Sequence, residues 1–142
     1  MVLKNILGFI ASDHRGYALK AYLKEKFPLI DLGPFSEKNV DYPDYAKKLT
    51  RYVLKEKSMG ILICSTGIGM SIAANRTKGI RAALCDNEGE AGLARLHNDA
   101  NVLVLRGDFT KPKDAVKIAK KFFEVKFSNI ERHKRRIKKL DR

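Results

Sequence analysis

The chain has no tryptophan, only two cysteines and only four prolines in 142 residues. Two thiols make no disulfide framework in a chain this long, so stability must come from a buried core, and free thiols in a reducing cytosol are expected. No apolar run approaches the ~18 residues a membrane span needs, which excludes a helical membrane protein. The opening MVLKNILGFIAS carries Lys4 within its apolar stretch and no small-residue cleavage pattern, so no secretory signal is expected. Internal repeats, low-complexity tracts and linkers are absent, as is a Walker loop. No Cys/His set has zinc spacing, so no metal is expected. Acids are scarce in the last third: Lys111 to Arg142 holds 13 Lys/Arg against 4 Asp/Glu, within a net charge of +13.

What is present describes one globular domain over residues 1–142, with 44% hydrophobic and 32% charged residues. Short continuous apolar runs mark strands covered on both faces: Ile6–Ala11, Leu29–Leu32, Met59–Cys64, Ile80–Leu84 and Val102–Leu105. Helical spacing falls between them. Ala18, Leu19, Tyr22, Leu23 and Phe27 form one stripe, and Tyr45, Leu49, Tyr52 and Val53 another, with Pro43 in a first turn. Ala115, Ile118, Ala119, Phe122 and Phe123 form a third, with Thr110 as cap and Pro112 in the first turn. A basic helix over Glu131–Leu140 closes the chain. This alternation predicts a three-layer α/β/α sandwich around a parallel sheet.

Ligands of such folds bind outside the carboxyl ends of the strands. Those ends here carry SDH (Ser12 to His14), CSTGIG (Cys64 to Gly69) and CDNE (Cys85 to Glu88), and HND (His97 to Asp99) precedes the fifth strand. A core cysteine normally sits inside an apolar run, but Cys64 closes one and opens a glycine turn. Gly67 and Gly69 let the backbone turn tightly and aim N–H groups outward at a helix start, which makes an anion hole. A thiolate is favoured in that field, as nucleophile or as base. The bland alternative is an inert buried thiol, and it is preferred for Cys85, which no glycine turn follows. GIGMSI also resembles the start of a dinucleotide fingerprint with Asp86 as ribose acid. Ile72 occupies the third glycine position, however, and no second mononucleotide half follows.

Six blocks in chain order, ASDHRGYALK, DYPDYA, GILICSTGIGMSIAANR, GIRAALC, HNDANVLVL and RHKRRIKKL, resemble the type B ribose-5-phosphate isomerases and their galactose- and allose-6-phosphate relatives. The resemblance implies a Rossmann-like five-stranded sheet of order 2-1-3-5-4. It implies a cytoplasmic homodimer, or a dimer of dimers, with active sites shared between subunits. It also implies cofactor-free interconversion of ribose 5-phosphate and ribulose 5-phosphate, a pentose phosphate pathway reaction, through a cis-enediolate. Cys64 is then the base and His97 opens the sugar ring, with Thr66 and Asp13 completing the catalytic set. Asp13 and Asn98 bind hydroxyls, and the turn Ser65, Gly67, Ile68, Gly69 and Ser71 holds the enediolate. His14, Arg132 and Arg136 bind phosphate, and Tyr42 lines the pocket.

Three positions depart from the family's pattern. Ser65 stands where a glycine is usual, and Ile130-Glu131 where Gly-Gly is usual. Arg106-Gly107-Asp108 replaces Gly-x-Arg, so an acid takes the place of a phosphate arginine ascribed to the partner subunit, with Arg106 as a candidate substitute. The alternatives are a six-carbon 6-phosphate isomerase or a non-catalytic anion- or RNA-binding protein using the basic end. Aromatic interleaving there is sparse, and neither nucleic acid nor membrane is an expected partner.

Overall fold

The computed structural model describes residues 5–142. Strands and helices alternate: β1 (Gly8–Ser12), α1 (Tyr17–Lys26), β2 (Leu29–Asp31), α2 (Tyr42–Glu56), β3 (Met59–Cys64), α3 (Ile68–Asn75), β4 (Ala82–Leu84), α4 (Glu88–Asn98), β5 (Val102–Arg106), α5 (Pro112–Glu124) and α6 (Glu131–Leu140). The five strands form one parallel sheet in the order β2-β1-β3-β5-β4. The architecture is the one the strand–helix alternation predicts, and the strand order is the one the family resemblance implies.

Side-chain alternation along the strands divides the core into two layers. Ile10, Ile61, Ile63, Leu103 and Leu105 point to one face and meet Leu19, Leu23, Ala91, Ala94, Ile118 and Phe122 of α1, α4 and α5. Phe9, Ala11, Leu62, Cys64, Val102 and Val104 point to the other and meet Leu49, Val53, Met70 and Ala74 of α2 and α3. The strand residues of both layers are essentially inaccessible, so each large one contributes roughly 1.5–3 kcal/mol by burial. Parity has a functional consequence: Cys64 faces the layer that contains α3, the helix its own turn begins.

Several boundaries differ from the sequence reading. β1 begins at Gly8, and Ile80 lies in a turn where its N–H donates to the Thr77 carbonyl (3.1 Å), so β4 starts at Ala82. Ala18 is exposed, and Phe27 is an extended residue beyond the end of α1. Thr110 does not cap α5. The cap position is Lys111, with Pro112 first in the helix, and Thr110 belongs to the preceding turn, where its N–H donates to the Arg106 carbonyl (2.8 Å). α4 is an element the periodicity left unassigned. Its start is fixed by Asn87, whose side chain accepts from Glu90 N–H (2.9 Å), while the Glu90 carboxylate accepts from Asp86 N–H (2.6 Å). No helix among the described residues is long and apolar enough to cross a membrane.

Candidate active site

β1, β3 and β5 end side by side, because Ser12 is opposite Ile63 and Cys64 is opposite Arg106 in the sheet register. Asp13 therefore stands beside Cys64, its N–H donating to the Ile63 carbonyl (3.1 Å). One carboxylate oxygen of Asp13 accepts from the N–H groups of Arg15 (2.9 Å) and Gly16 (3.0 Å), which rigidifies the loop into α1. His14 is half-buried, and its Nδ1 accepts from Val40 N–H (3.3 Å). That bond leaves Nε2–H free to donate.

Cys64 is nearly inaccessible at 5% exposure, and its chain turns directly into α3. Gly67 makes the turn at φ 76°, where a side chain is strained and where a Cβ would lie 2.5 Å from Leu84 Cδ1. At Gly69 a Cβ would lie 2.6 Å from the Tyr42 ring, so only glycine lets Tyr42 rest on the first turn of α3. Ile68 N–H donates to Thr66 Oγ1 (3.2 Å), and Ser71 N–H closes the turn on the Gly67 carbonyl (3.0 Å). The amides of Gly67 and Gly69 make no hydrogen bond among the described residues. They are donors at the positive end of a helix beside a thiol, an arrangement suited to an oxygen that becomes negative.

Asp13, His14, Tyr42, Cys64, Ser65, Thr66, Gly67, Ile68, Gly69 and Ser71 thus gather at the carboxyl edge of the sheet. The other expected residues do not join them. His97 and Asn98 end α4 close to the opposite edge, where the Asn98 carbonyl accepts from Arg81 Nε (2.8 Å) just ahead of β4. The two groups of residues are separated by the length of the strands, about 13 Å for four residue steps. Arg132 and Arg136 lie one turn apart on α6, exposed and without an ion pair among the described residues.

The sequence reading passed over His133. It is buried, its ring lies 4.6 Å from that of His97, and its Nδ1 shares a hydrogen bond with Ser128 Oγ (3.0 Å). Desolvation holds this imidazole below its ordinary pKa, and repulsion from His97, Arg132 and Arg136 adds to the effect. Only helical spacing from Arg132 and Arg136 could have drawn attention to it. Arg81 fastens the end of α6 through Asp141 (2.7 Å).

The strand-end positions after β5 also differ from expectation. Residue 108 lies at the same edge of the sheet as Cys64 of its own chain, because β5 is in register with β3. Arg106 is committed elsewhere: Nη1 contacts both carboxylate oxygens of Asp86 (3.0 and 3.1 Å), and its guanidinium lies 4.6 Å from the centre of the Phe109 ring. Asp86 is thereby engaged too. Cys85 is buried, and desolvation, aided by Glu90 and Asp86, pushes its thiol up to about 12, which makes it inert.

Comparison with known proteins gives the following. The family model described as Ribose/Galactose Isomerase matches residues 9–140. A crystal structure of a ribose 5-phosphate isomerase from Thermotoga maritima is 46% identical, with TM-score 0.89, covering 94% of this chain and 96% of that one. The ribose-5-phosphate isomerase B of Mycoplasma genitalium, solved with bound ribulose-5-phosphate, is 44% identical, with TM-score 0.85 and coverage of 94% and 92%. Ribose-5-phosphate isomerase B of Escherichia coli K12 is 47% identical over 97 residues, which is 64% of this chain and 65% of the relative.

Proposed function

The chain belongs to the ribose/galactose isomerase family, and on that premise we propose that it interconverts D-ribose 5-phosphate and D-ribulose 5-phosphate through a cis-enediolate. The observation that carries the reading is Cys64 at the end of a central strand, next to Asp13 at the sheet edge and leading directly into a turn whose Gly67 and Gly69 amides make no hydrogen bond among the described residues. The thiolate takes the proton from C2 as the C1 carbonyl oxygen gains the electron pair. The turn's amides stabilise the resulting enediolate, the hydroxyl proton passes from O2 to O1, and the thiol returns its proton to C1 as the C2 carbonyl forms.

We further propose that the working site is shared by two copies of the chain. One supplies Cys64, Thr66, Asp13, His14 and Tyr42, and the other supplies His97, Asn98, Arg132 and Arg136. Support comes from the placement of these groups at opposite edges of one chain. It also comes from Ile68 and Ile72, which form an exposed apolar pair one helical turn apart beside the glycine turn (56% and 54%). His97 then protonates and deprotonates the sugar ring, and the two arginines with His14 hold the phosphate.

A coupled assay with ribose 5-phosphate in the presence of a chelator tests the reading. Turnover that Cys64→Ala abolishes is expected. Absence of turnover with every aldose phosphate would transfer the weight to anion binding by the basic end.

A further inference from the structure

Ser65, the residue immediately after Cys64, and Asp108, just past the end of β5, are joined to each other. Ser65 Oγ donates to Asp108 Oδ2 at 2.5 Å. Arg15, from the loop that carries Asp13 and His14, donates to the same oxygen through Nε (3.0 Å) and Nη2 (2.7 Å). The backbone runs the same way. Gly107 N–H donates to the Cys64 carbonyl (2.8 Å) and Asp108 N–H to the Ser65 carbonyl (3.1 Å). Three strand-end loops therefore converge on one carboxylate oxygen directly behind the Cys64 peptide. A glycine at position 65 could not make the side-chain link, and an arginine at 108 would repel Arg15.

We propose that Asp108 is a positioning residue for Cys64: through Ser65 and Arg15 it fixes the turn that aims the thiol and the Gly67–Gly69 amides at one substrate. The inference rests on the reading of Cys64 as the base. Hydrogen bonds from Ser65 and Arg15 hold the Asp108 carboxyl below its ordinary range, so it stays ionised wherever a thiolate can form. The ion pair is exposed and adds little to stability; its part is geometric. Misplacing a reacting group by about 1 Å costs up to ~10²-fold in rate, so a loosened turn has a kinetic signature.

The test compares Asp108→Ala, Asp108→Asn, Ser65→Ala and the double variant Ser65→Ala/Asp108→Ala. All three bonds use a single oxygen, so the side-chain amide of the Asp108→Asn variant can reproduce them without the charge. Asp108→Ala and Ser65→Ala are each expected to lower kcat by on the order of 10-fold with KM little changed. The double variant should be no worse than the worse single, and Asp108→Asn should retain most activity. Equal losses in Asp108→Asn and Asp108→Ala beside an unaffected Ser65→Ala would mean a bare charge effect and would overturn the proposal. Multiplying losses in the double variant, or wild-type kcat in both alanine variants, would overturn it as well. Alkylation of Cys64 by iodoacetamide reads the same geometry without turnover. It should quicken in both alanine variants, with the same non-additivity, and stay near wild type in Asp108→Asn. If Cys64→Ala kept its turnover, the reading of Cys64 as base would fail, while the alkylation pattern would still decide the clasp.

Discussion

The two edges of the sheet are built differently. At the carboxyl edge most polar side chains are already bonded: Asp13 to two backbone amides, His14 to Val40, Thr66 to Ile68, and Ser65 and Arg15 to Asp108. At the amino edge, His97, Arg132 and Arg136 stand exposed on helix surfaces, ordered chiefly by the buried His133 and by the Arg81–Asp141 bridge. The first region holds its side chains in fixed geometry, as the proposed proton transfer needs. The second offers charge and an imidazole on side chains free to meet a ligand that arrives from outside. On the shared-site proposal, the two regions work together only where two copies of the chain meet.

The difference can be broken at either edge. The largest effect is expected at the fixed edge, where Cys64→Ala should lower kcat by at least ~10²–10⁴-fold, the range of a lost general base. Steady-state kinetics with ribose 5-phosphate checks it, and an active Cys64→Ala protein would refute the chemistry. At the open edge His97→Asn should slow ribose 5-phosphate by roughly 10²-fold while largely sparing a four-carbon aldose 4-phosphate. That sugar has its C4 oxygen esterified and cannot close a furanose ring, so it needs no opening. Equal losses on both sugars would make His97 a binding group.

Smaller effects follow for phosphate recognition. Arg132→Ala should lower kcat/KM by about 10- to 100-fold, mostly through KM, and Arg132→Lys should restore little, because a point charge does not reproduce bidentate geometry. Unchanged kcat and KM would remove Arg132 from the site. The smallest expected effect concerns His133. Its pKa is depressed in the fold, so the folded state binds fewer protons than the unfolded chain in the window below the unfolded value of ~6.5. The stability this contributes is complete above ~6.5 and is lost as pH falls through the folded value. His133→Phe keeps an aromatic ring against His97 and should flatten the dependence of Tm on pH in that window. An unaltered slope would show that His133 is not its source.

Much of this was legible in the residues. Continuous apolar runs placed all five strands, and the abrupt end of the β3 run at Cys64 marked the glycine turn. The starts of β1 and β4 were placed two residues early, because Ile6 and Ile80 are apolar residues of flanking segments, and the ends of β1, β2 and β5 were each off by one residue. α4 escaped because its buried apolar residues are small, Ala91 and Ala94, while Leu93 and Leu96 face outward. Its Asn87–Glu90 capping box was the available signal. Long-range partnerships were beyond a linear reading. Nothing in the spacing of Arg15, Ser65 and Asp108 announces that they share one oxygen, since only the register of β3 and β5 brings positions 65 and 108 together.

The central claim is that one site takes its base from one copy and its ring-opening imidazole from another, and complementation tests it most directly. Cys64→Ala and His97→Asn proteins, each strongly impaired on ribose 5-phosphate, are unfolded together in equal amounts, refolded and assayed. Shared sites predict recovery of about a quarter of wild-type activity, because half of the dimers are mixed and each mixed dimer has one intact site of two. No recovery, from mixed dimers shown to have formed, would place both residues of each site in a single chain and contradict the account.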